Sequence, residues 1–405
     1  MKDSSIYSIV ETELDKQLSA IKIAFLDVGQ GDTIVISSPD TREAIVVDCI
    51  DADAVLDYLK QEQILYLRSI IVTHLHNDHC SQVDSLIYRH HIVSGMGECE
   101  KLAFRDINKK HENYEVLVQD KDGHQKEVLV QDEDGHQEEQ ETGFTNKYAK
   151  KQARKTALEN LKDWYLEDKR KYIVPNVQPG IYEEAAEKPL PLKGIKGDLA
   201  KNIYLLHPFE ADLSNLEVKG LNNTSVILRI ISSGSSALLT GDLEPHGWYI
   251  LQKNYPDHLR SDILKFPHHG GMWNAADTKS LLDSVQPSVV VISVGTNGEK
   301  YKHPNKDVFS VLSSPQYSHI RVLCTQATNQ CRVSVLDCKQ PVIQHLDRQA
   351  SEKGNERIGS KRGCPCAGTV IVEIADNACV LQPTVAFHQN NIIHLSFHAH
   401  KCVLR

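Results

Sequence analysis

Residues 73–80 limit the possible fold and chemistry of this chain more than any other stretch does. The sequence Thr-His-Leu-His-Asn-Asp-His-Cys places three imidazoles and one carboxylate within six positions, 74–79. A largely apolar run, residues 67–72, precedes it and predicts a buried strand. Such a strand delivers its last residues to the edge of a sheet, where a chain reversal can gather several side chains around one point. Neutral imidazole and carboxylate suit zinc, manganese or iron better than magnesium or calcium, so the segment predicts a transition-metal site.

The pattern H-x-H-x-D-H at 74–79 resembles the signature of the metallo-β-lactamase superfamily. Residues 25–36, Phe-Leu-Asp-Val-Gly-Gln-Gly-Asp followed by Thr-Ile-Val-Ile, resemble the opening hairpin of one branch. That branch contains the hydrolase domain of the competence DNA-uptake channel and its stand-alone relatives. The chain also resembles further sequence motifs of the family, in the same order, at residues 44–48, 239–244, 266–271, 293–297 and 303–304.

The resemblance implies an α/β fold, a four-layer αββα sandwich. Alternating apolar strands and amphipathic helices from residue 21 to about residue 89 favour the same architecture. We expect a hydrolase domain over residues 1–345, interrupted by an insertion at about 98–194. A small β-rich module containing cysteines and histidines is expected over residues 346–405.

The resemblance also implies a centre of two divalent metal ions, with zinc the first expectation and manganese the second. The expected ligands are His74, His76 and His207 for one ion, Asp78, His79 and His269 for the other, and Asp242 as a bridge. His207 ends an apolar run upstream of Asp242, and a structural histidine is the alternative there. Asp48 would support the ligands from behind by fixing the tautomer of an imidazole.

Hydrolysis at such a centre needs no serine or cysteine nucleophile, because water beside a divalent ion loses a proton near neutral pH. Asp78 would help to orient the resulting hydroxide, and loss of Asp242 should impair activity most because both metals would depend on it. Successive side chains of a strand alternate, so His268 and His269 are not expected to face the metals together. We assign His269 as the ligand and His268 as a substrate or leaving-group contact, with the reverse as the alternative. His303 would donate a proton or bind phosphate, unless it is a structural loop histidine.

Composition and charge limit the binding partners and the cellular location that we expect for this chain. The net charge of −9 and the pI near 6.1 argue against broad nonspecific binding of nucleic acid, although not against a local groove. No run approaches eighteen apolar residues, so no membrane span is expected. The first twenty residues are polar and lack the apolar core of a signal peptide, which favours a cytoplasmic location.

The expected insertion contains two unusual segments. Residues 115–125 and 127–137 form a tandem repeat of a short strand and an Asp-Gly turn, which favours a duplicated surface loop over a calcium site. Residues 146–172 are basic and helical in pattern, with interleaved aromatic side chains. A positive arm of this kind could guide a nucleic-acid backbone, and a solvated helix that packs its aromatics on the body is the alternative.

Ten cysteines in a chain expected to be cytosolic predict thiols or metal ligands rather than disulfides. Four of them could hold a structural zinc ion that pins the C-terminal module to the body: Cys324, Cys331, Cys364 and Cys366. The alternative is that the four are free thiols in the core.

The sequence therefore predicts a cytosolic binuclear metal-dependent hydrolase that cleaves phosphodiester bonds through a metal-bound hydroxide, as a nuclease. One alternative keeps the site and changes the substrate to a cyclic nucleotide, a phosphocholine-type ester, a thioester or a lactone. Another is an effector controlled by a protein partner in a multi-protein defence or competence system. Fold and metal alone do not choose among these functions.

Overall fold

The computed structural model describes residues 20–74, 76–87, 102–103, 195, 197–208, 220–295, 302–328 and 366–383. Two mixed sheets lie at its centre. The first contains β1 (Ile21–Phe25), β2 (Ile34–Ser38), β3 (Glu43–Val47), β4 (Tyr66–Ile71), β5 (Leu102–Ala103), β12 (Val370–Ile374) and β13 (Cys379–Gln382). The second contains β6 (Ile203–His207), β7 (Ile227–Ser232), β8 (Ser235–Leu239), β9 (Ile263–Lys265), β10 (Val289–Ile292) and β11 (Arg321–Cys324).

The strand orders are β13-β12-β1-β2-β3-β4-β5 and β11-β10-β9-β8-β7-β6. The described α-helices are α1 (Ala52–Gln61), α2 (Asn77–Cys80), α3 (Pro245–Asn254), α4 (Ala275–Val285) and α5 (Lys306–Leu312). Short 3-10 turns lie at Leu199–Asn202, Leu221–Thr224, Pro256–His258, Pro267–Gly270 and Pro315–Tyr317.

The central strands are largely apolar on both faces, because both sides of each sheet are covered there. Along β1, Ile21, Ile23 and Phe25 pack between the two sheets, whereas Ala24 faces α1. In β8, Leu238 packs in the opposite outer layer, with the side chains of α3 and α4. This two-residue periodicity produces the order helix, sheet, sheet, helix. The expected αββα sandwich is confirmed.

The chain after residue 366 joins the first sheet. Strand β12 pairs antiparallel with β1, from Ile21 opposite Ile374 to Phe25 opposite Val370, and β13 extends that edge. These strands belong to the stretch 346–405 that the sequence interpretation set apart, of which residues 366–383 are described. The tandem repeat and the basic segment 146–172 lie outside the described ranges, so the domain division stays a prediction.

In the part of the chain that the structure describes, no helix combines the length and the apolar character that crossing a bilayer requires.

Candidate metal centre

The candidate residues meet because parallel strands end at one edge of the sandwich. Strands β3 and β4 run parallel in the first sheet, and β8 and β9 run parallel in the second. Asp48 follows β3, His74 follows β4, and Asp242 follows β8. A backbone hydrogen bond from Val226 N to Thr73 O, 3.0 Å long, joins the two sheets at this edge.

Asp242 lies at the centre of the cluster. Its Oδ2 is 3.1 Å from Nε2 of His79, 3.4 Å from Nε2 of His269 and 4.0 Å from Nε2 of His74. All four side chains are buried. One carboxylate oxygen therefore faces imidazole nitrogens contributed by both sheets.

The other expected ligands border this group. His76 lies beside His74, with 3.0 Å between His76 Nδ1 and His74 Nε2. Asp78 Oδ2 is 3.8 Å from His269 Nε2. The Asp78 side chain is 37% exposed, whereas that of His269 is 1% exposed, so the cluster opens to solvent on the side of Asp78.

Hydrogen bonds on the far side of the imidazoles fix their tautomers. His79 Nδ1 is 2.7 Å from Asp48 Oδ2, and His269 Nδ1 is 2.7 Å from Ser293 O. These oxygens only accept hydrogen bonds, so each Nδ1 carries the proton and each neutral ring turns the Nε2 lone pair inward. In the described part of the chain, neither Nε2 has a hydrogen-bond partner. Two lone pairs that face a carboxylate oxygen are satisfied by a cation, so these residues fit a divalent metal ion.

In the metal-free protein, the pKa shifts of Asp242 and His79 also show that this cluster favours a positive charge. Burial raises the pKa of Asp242, but His269, His79 and Lys265 outweigh it and hold that pKa well below its ordinary value. Burial opposes the charged form of His79, yet Asp242 and Asp48 raise its pKa well above the ordinary value. In the metal-free protein a proton is therefore favoured on His79 Nε2, where a metal ion would bind in its place.

Ser225, which sequence reasoning did not single out, connects three of the expected ligands. Its carbonyl oxygen is 2.8 Å from His207 Nδ1. Its Oγ accepts a hydrogen bond from the Asp242 N–H at 3.1 Å and lies 3.4 Å from His74 Nδ1. His207 is fully buried, and this contact leaves its Nε2 as the ligand atom of the neutral ring.

Asp32 and Lys265 also belong to the cluster and were not predicted. Ligand atoms of Asp32, His79, Asp242 and His269 all lie within 4.8 Å of one another. Lys265 Nζ contacts Asp32 Oδ2 and donates a 2.7 Å hydrogen bond to Gly241 O. A lysine inside the apolar run 263–266 was the available signal, because a lone charge on a buried strand requires a partner.

The argument from strand alternation about His268 and His269 was wrong. Strand β9 ends at Lys265, and both histidines lie in the turn Pro267–Gly270 with φ of 49° and 51°. His269 faces Asp242, whereas His268 Nδ1 is 3.6 Å from Glu244 Oε1. The turn, rather than strand pleating, separates the two side chains.

His303 lies against this turn. Its ring centroid is 5.4 Å from that of His268 and 6.3 Å from that of His269. Burial, reinforced by His269 and His268, lowers the pKa of His303 to about 3. The ring is therefore neutral at pH 7, where it can donate one hydrogen bond and accept another but is a weak base.

The expected structural zinc site lies partly outside the described residues. Cys324 is buried and Cys366 is partly exposed, and the Ala367 N–H donates a 2.8 Å hydrogen bond to Cys324 O. Cys331 and Cys364 are not among the described residues, so the site stays a prediction.

Part of the chain matches a known superfamily, and longer stretches resemble individual known proteins. The family described as the Metallo-beta-lactamase superfamily matches residues 26–146. ComE operon protein 3 of Bacillus subtilis is 26% identical over 315 residues, which are 75% of this chain and 32% of that protein. Competence protein ComA of Neisseria gonorrhoeae is 36% identical over 87 residues, 22% of this chain and 12% of that protein. The chain thus spans a third or less of these relatives.

Solved structures that resemble the chain include the metallo-beta-lactamase fold protein YhfI of Bacillus subtilis. It is 12% identical, with a TM-score of 0.33, over 67% of this chain and 85% of that one. Igni18, a metallo hydrolase of Ignicoccus hospitalis, is 13% identical, with a TM-score of 0.36, over 75% of this chain and 94% of that one.

The superfamily implies divalent metal ions, and the cluster around Asp242 supplies Asp and His ligands for them. Residues 26–146 of this chain match a metallo-beta-lactamase superfamily domain, and this similarity supports a metal-dependent hydrolase.

Proposed function

We propose that this chain is a nuclease, a binuclear hydrolase that cleaves the phosphodiester bonds of nucleic acid. One observation carries the proposal: Asp242 Oδ2 faces His79 and His269 at 3.1 and 3.4 Å and His74 at 4.0 Å. A single oxygen surrounded by imidazole nitrogens suits a bridge between two cations. The resemblance of residues 25–36 to the branch of the competence DNA-uptake channel, with the similarity to Competence protein ComA, supports nucleic acid as the substrate class.

Two ions would be held by residues that the structure gathers at one edge. His74, His76 and His207 would hold one, His79, His269 and Asp78 the other, and Asp242 both. When bound, such ions supply an activated water and neutralise the charge of a phosphodiester. The cluster opens beside Asp78, so the substrate would approach there, with Asp78 able to orient the attacking water.

Other side chains would act on the substrate directly. His268 and His303 lie next to His269, and their rings are close enough to enclose a phosphate oxygen or a leaving group together. Since His303 is neutral at pH 7 and a weak base, its proposed role is to hydrogen-bond the substrate. The basic segment 146–172, outside the described residues, is the proposed contact for the nucleic-acid backbone.

The test is cleavage of single- and double-stranded DNA and RNA by chelator-treated protein resupplied with zinc, manganese or magnesium. D242A should abolish cleavage, whereas D257N, which alters an exposed carboxylate in the Pro256–His258 turn, should retain it. A wild-type protein that holds two ions but cuts no nucleic acid would exclude the nuclease. Small phosphodiesters, thioesters and lactones would then be assayed as substrates at the same site.

A further inference from the structure

Lys265 is a fully buried lysine whose position needs a physical reason. It ends β9 between Leu264 and Phe266, and none of these three side chains is exposed to solvent. Burying an ammonium group is strongly unfavourable unless it is paired. Apolar residues of similar volume often replace buried ion pairs without loss of stability. The charge is therefore better explained by the adjacent metal centre than by the stability of the core.

The ammonium group is surrounded by three oxygen acceptors. Nζ lies 2.7 Å from Gly241 O and 3.5 Å from Asp242 Oδ1, and it contacts Asp32 Oδ2. A lysine ammonium has three N–H donors and no acceptor, so these oxygens use its whole bonding capacity. Lys265 is thus arranged to hold neighbouring groups and not to transfer a proton.

The two oxygens of the Asp242 carboxylate have different partners because one of them contacts Lys265. Oδ1 faces the ammonium group, whereas Oδ2 faces His79 and His269. A carboxylate without such a contact could rotate and offer both oxygens to the cations. The ammonium group opposes this rotation through the hydrogen-bonding distance to Oδ1.

Asp32 occupies the opposite side of the same imidazoles. Its Oδ2 is 3.8 Å from His79 Nδ1, and its Oδ1 is 4.0 Å from His269 Nδ1. Asp242 meets the Nε2 atoms of these rings instead. Because the Nε2 lone pairs define the metal side, Asp32 lies behind the rings, where it anchors Lys265 rather than a metal ion.

We propose that Lys265, anchored by Asp32, is a positioning residue that turns Oδ2 alone of Asp242 toward the histidines, so that one oxygen bridges two cations. This inference rests on the two-metal centre of the proposed function. It does not require the substrate to be nucleic acid. It assigns roles to two residues outside the expected ligand set.

The test compares the full-length wild-type chain with D32N/K265M, which removes both charges of the pair and leaves no buried charge unpaired. Bound manganese is counted by elemental analysis, its affinity is measured by chelator competition, and a coupled pair of ions is detected by electron paramagnetic resonance. We expect a folded variant whose affinity for the second ion falls about tenfold or more, with loss of the coupled signal.

E43Q/R68M is the matched control. It removes another largely buried ion pair of the fold, Arg68 Nη2 to Glu43 Oε1 at 2.7 Å, away from the cluster. This control should change the melting temperature without changing the affinity for manganese. If D32N/K265M does not fold, D32N alone keeps an oxygen that receives Lys265 but removes its charge, and it should bind the second ion more weakly than the wild type does.

Wild-type affinity for both ions in D32N/K265M, with the coupled signal intact, would overturn the inference. Equal loss of affinity in E43Q/R68M would do so too, because it would reduce the effect to general stability. A wild-type chain that binds fewer than two ions would also refute it. A wild-type chain that binds two coupled ions yet cuts no nucleic acid refutes only the nuclease.

Discussion

Asp48 Oδ2 lies 2.7 Å from His79 Nδ1, and this contact decides which nitrogen of His79 points at Asp242. Asp48 also accepts hydrogen bonds from the Thr73 N–H and the Thr73 hydroxyl, each 2.7 Å long. The carboxylate therefore cannot turn away from the imidazole. Its backbone φ of 57° is one that asparagine tolerates, so D48N is a mild change to the fold.

D48N should convert His79 to the wrong tautomer. The new amide N–H would face Nδ1 in place of Oδ2, so the ring would carry its proton on Nε2, toward Asp242. We expect metal affinity to fall about ten- to hundredfold, measured by chelator competition. T73V removes the hydroxyl contact but keeps the carboxylate, so it should have a smaller effect. Equal effects of the two variants would contradict the tautomer argument.

Gly31 lets the loop after β1 pack against the metal-binding segment. Its φ is +123°, and a Cβ added there would collide with the Asp78 carbonyl oxygen and lie 2.8 Å from Ile50 Cδ1. The neighbouring Asp32 N–H donates a 3.0 Å hydrogen bond to that same carbonyl. G31A should therefore destabilise the fold and displace Asp78 together.

Gly29 provides the matched control for this glycine. Its φ is +88°, but a Cβ added there meets nothing within 4 Å. G29A should cost about 1–2 kcal/mol from backbone strain, and G31A about 1–3 kcal/mol more from overlap. Urea unfolding measures both, and only G31A should also weaken metal binding. Similar unfolding free energies would show that the close packing of Gly31 contributes little.

The sequence predicted the architecture and the segments of the site better than the contacts within it. His79 lies shortly after an apolar strand, and Asp242 and His269 were assigned because the segments around them resemble those of the family. Lys265 was overlooked because its run looked like an ordinary buried strand. Asp32 was quoted only as part of a hairpin, since no local pattern shows that a turn carboxylate points inward.

Two further features of the structure could not be predicted from local sequence patterns. The antiparallel partner of β1 is β12, which begins at Val370, and no periodicity within either strand specifies that pairing. The side chains of His268 and His269 could not be placed by alternation, because two successive left-handed residues replace the strand there. Positive φ in consecutive histidines is uncommon, so sequence reasoning had little basis for expecting it.

The Ser225 hydroxyl should contribute to both stability and metal binding. S225A would leave the buried Asp242 N–H without its 3.1 Å acceptor, at a cost of about 1–3 kcal/mol. The control is S261A, because Ser261 is also a buried serine. Its hydroxyl donates a 3.2 Å hydrogen bond to Leu259 O. Urea unfolding should show losses in both variants, and chelator competition should show weaker metal binding only in S225A. Unchanged metal affinity in S225A would refute its role in placing Asp242.

His303 should make the metal-free protein less stable in acid. Its pKa is lowered from the ordinary 6.5 to about 3 in the folded protein, chiefly by burial. Between these values the unfolded chain binds a proton that the folded chain does not, so stability falls as the pH drops below 6.5. At pH 5 this one group should cost about 2 kcal/mol relative to neutral pH.

H303N removes that titration and should lose less stability between pH 7 and pH 5 than the wild type. Urea unfolding in the presence of a chelator measures the difference and keeps metal release out of the comparison. H319N, at an exposed position away from the cluster, controls for the loss of one imidazole. Parallel loss of stability in wild type and H303N would mean that His303 is protonated in the folded protein. It could then donate a proton at the site, and the role proposed above would be wrong.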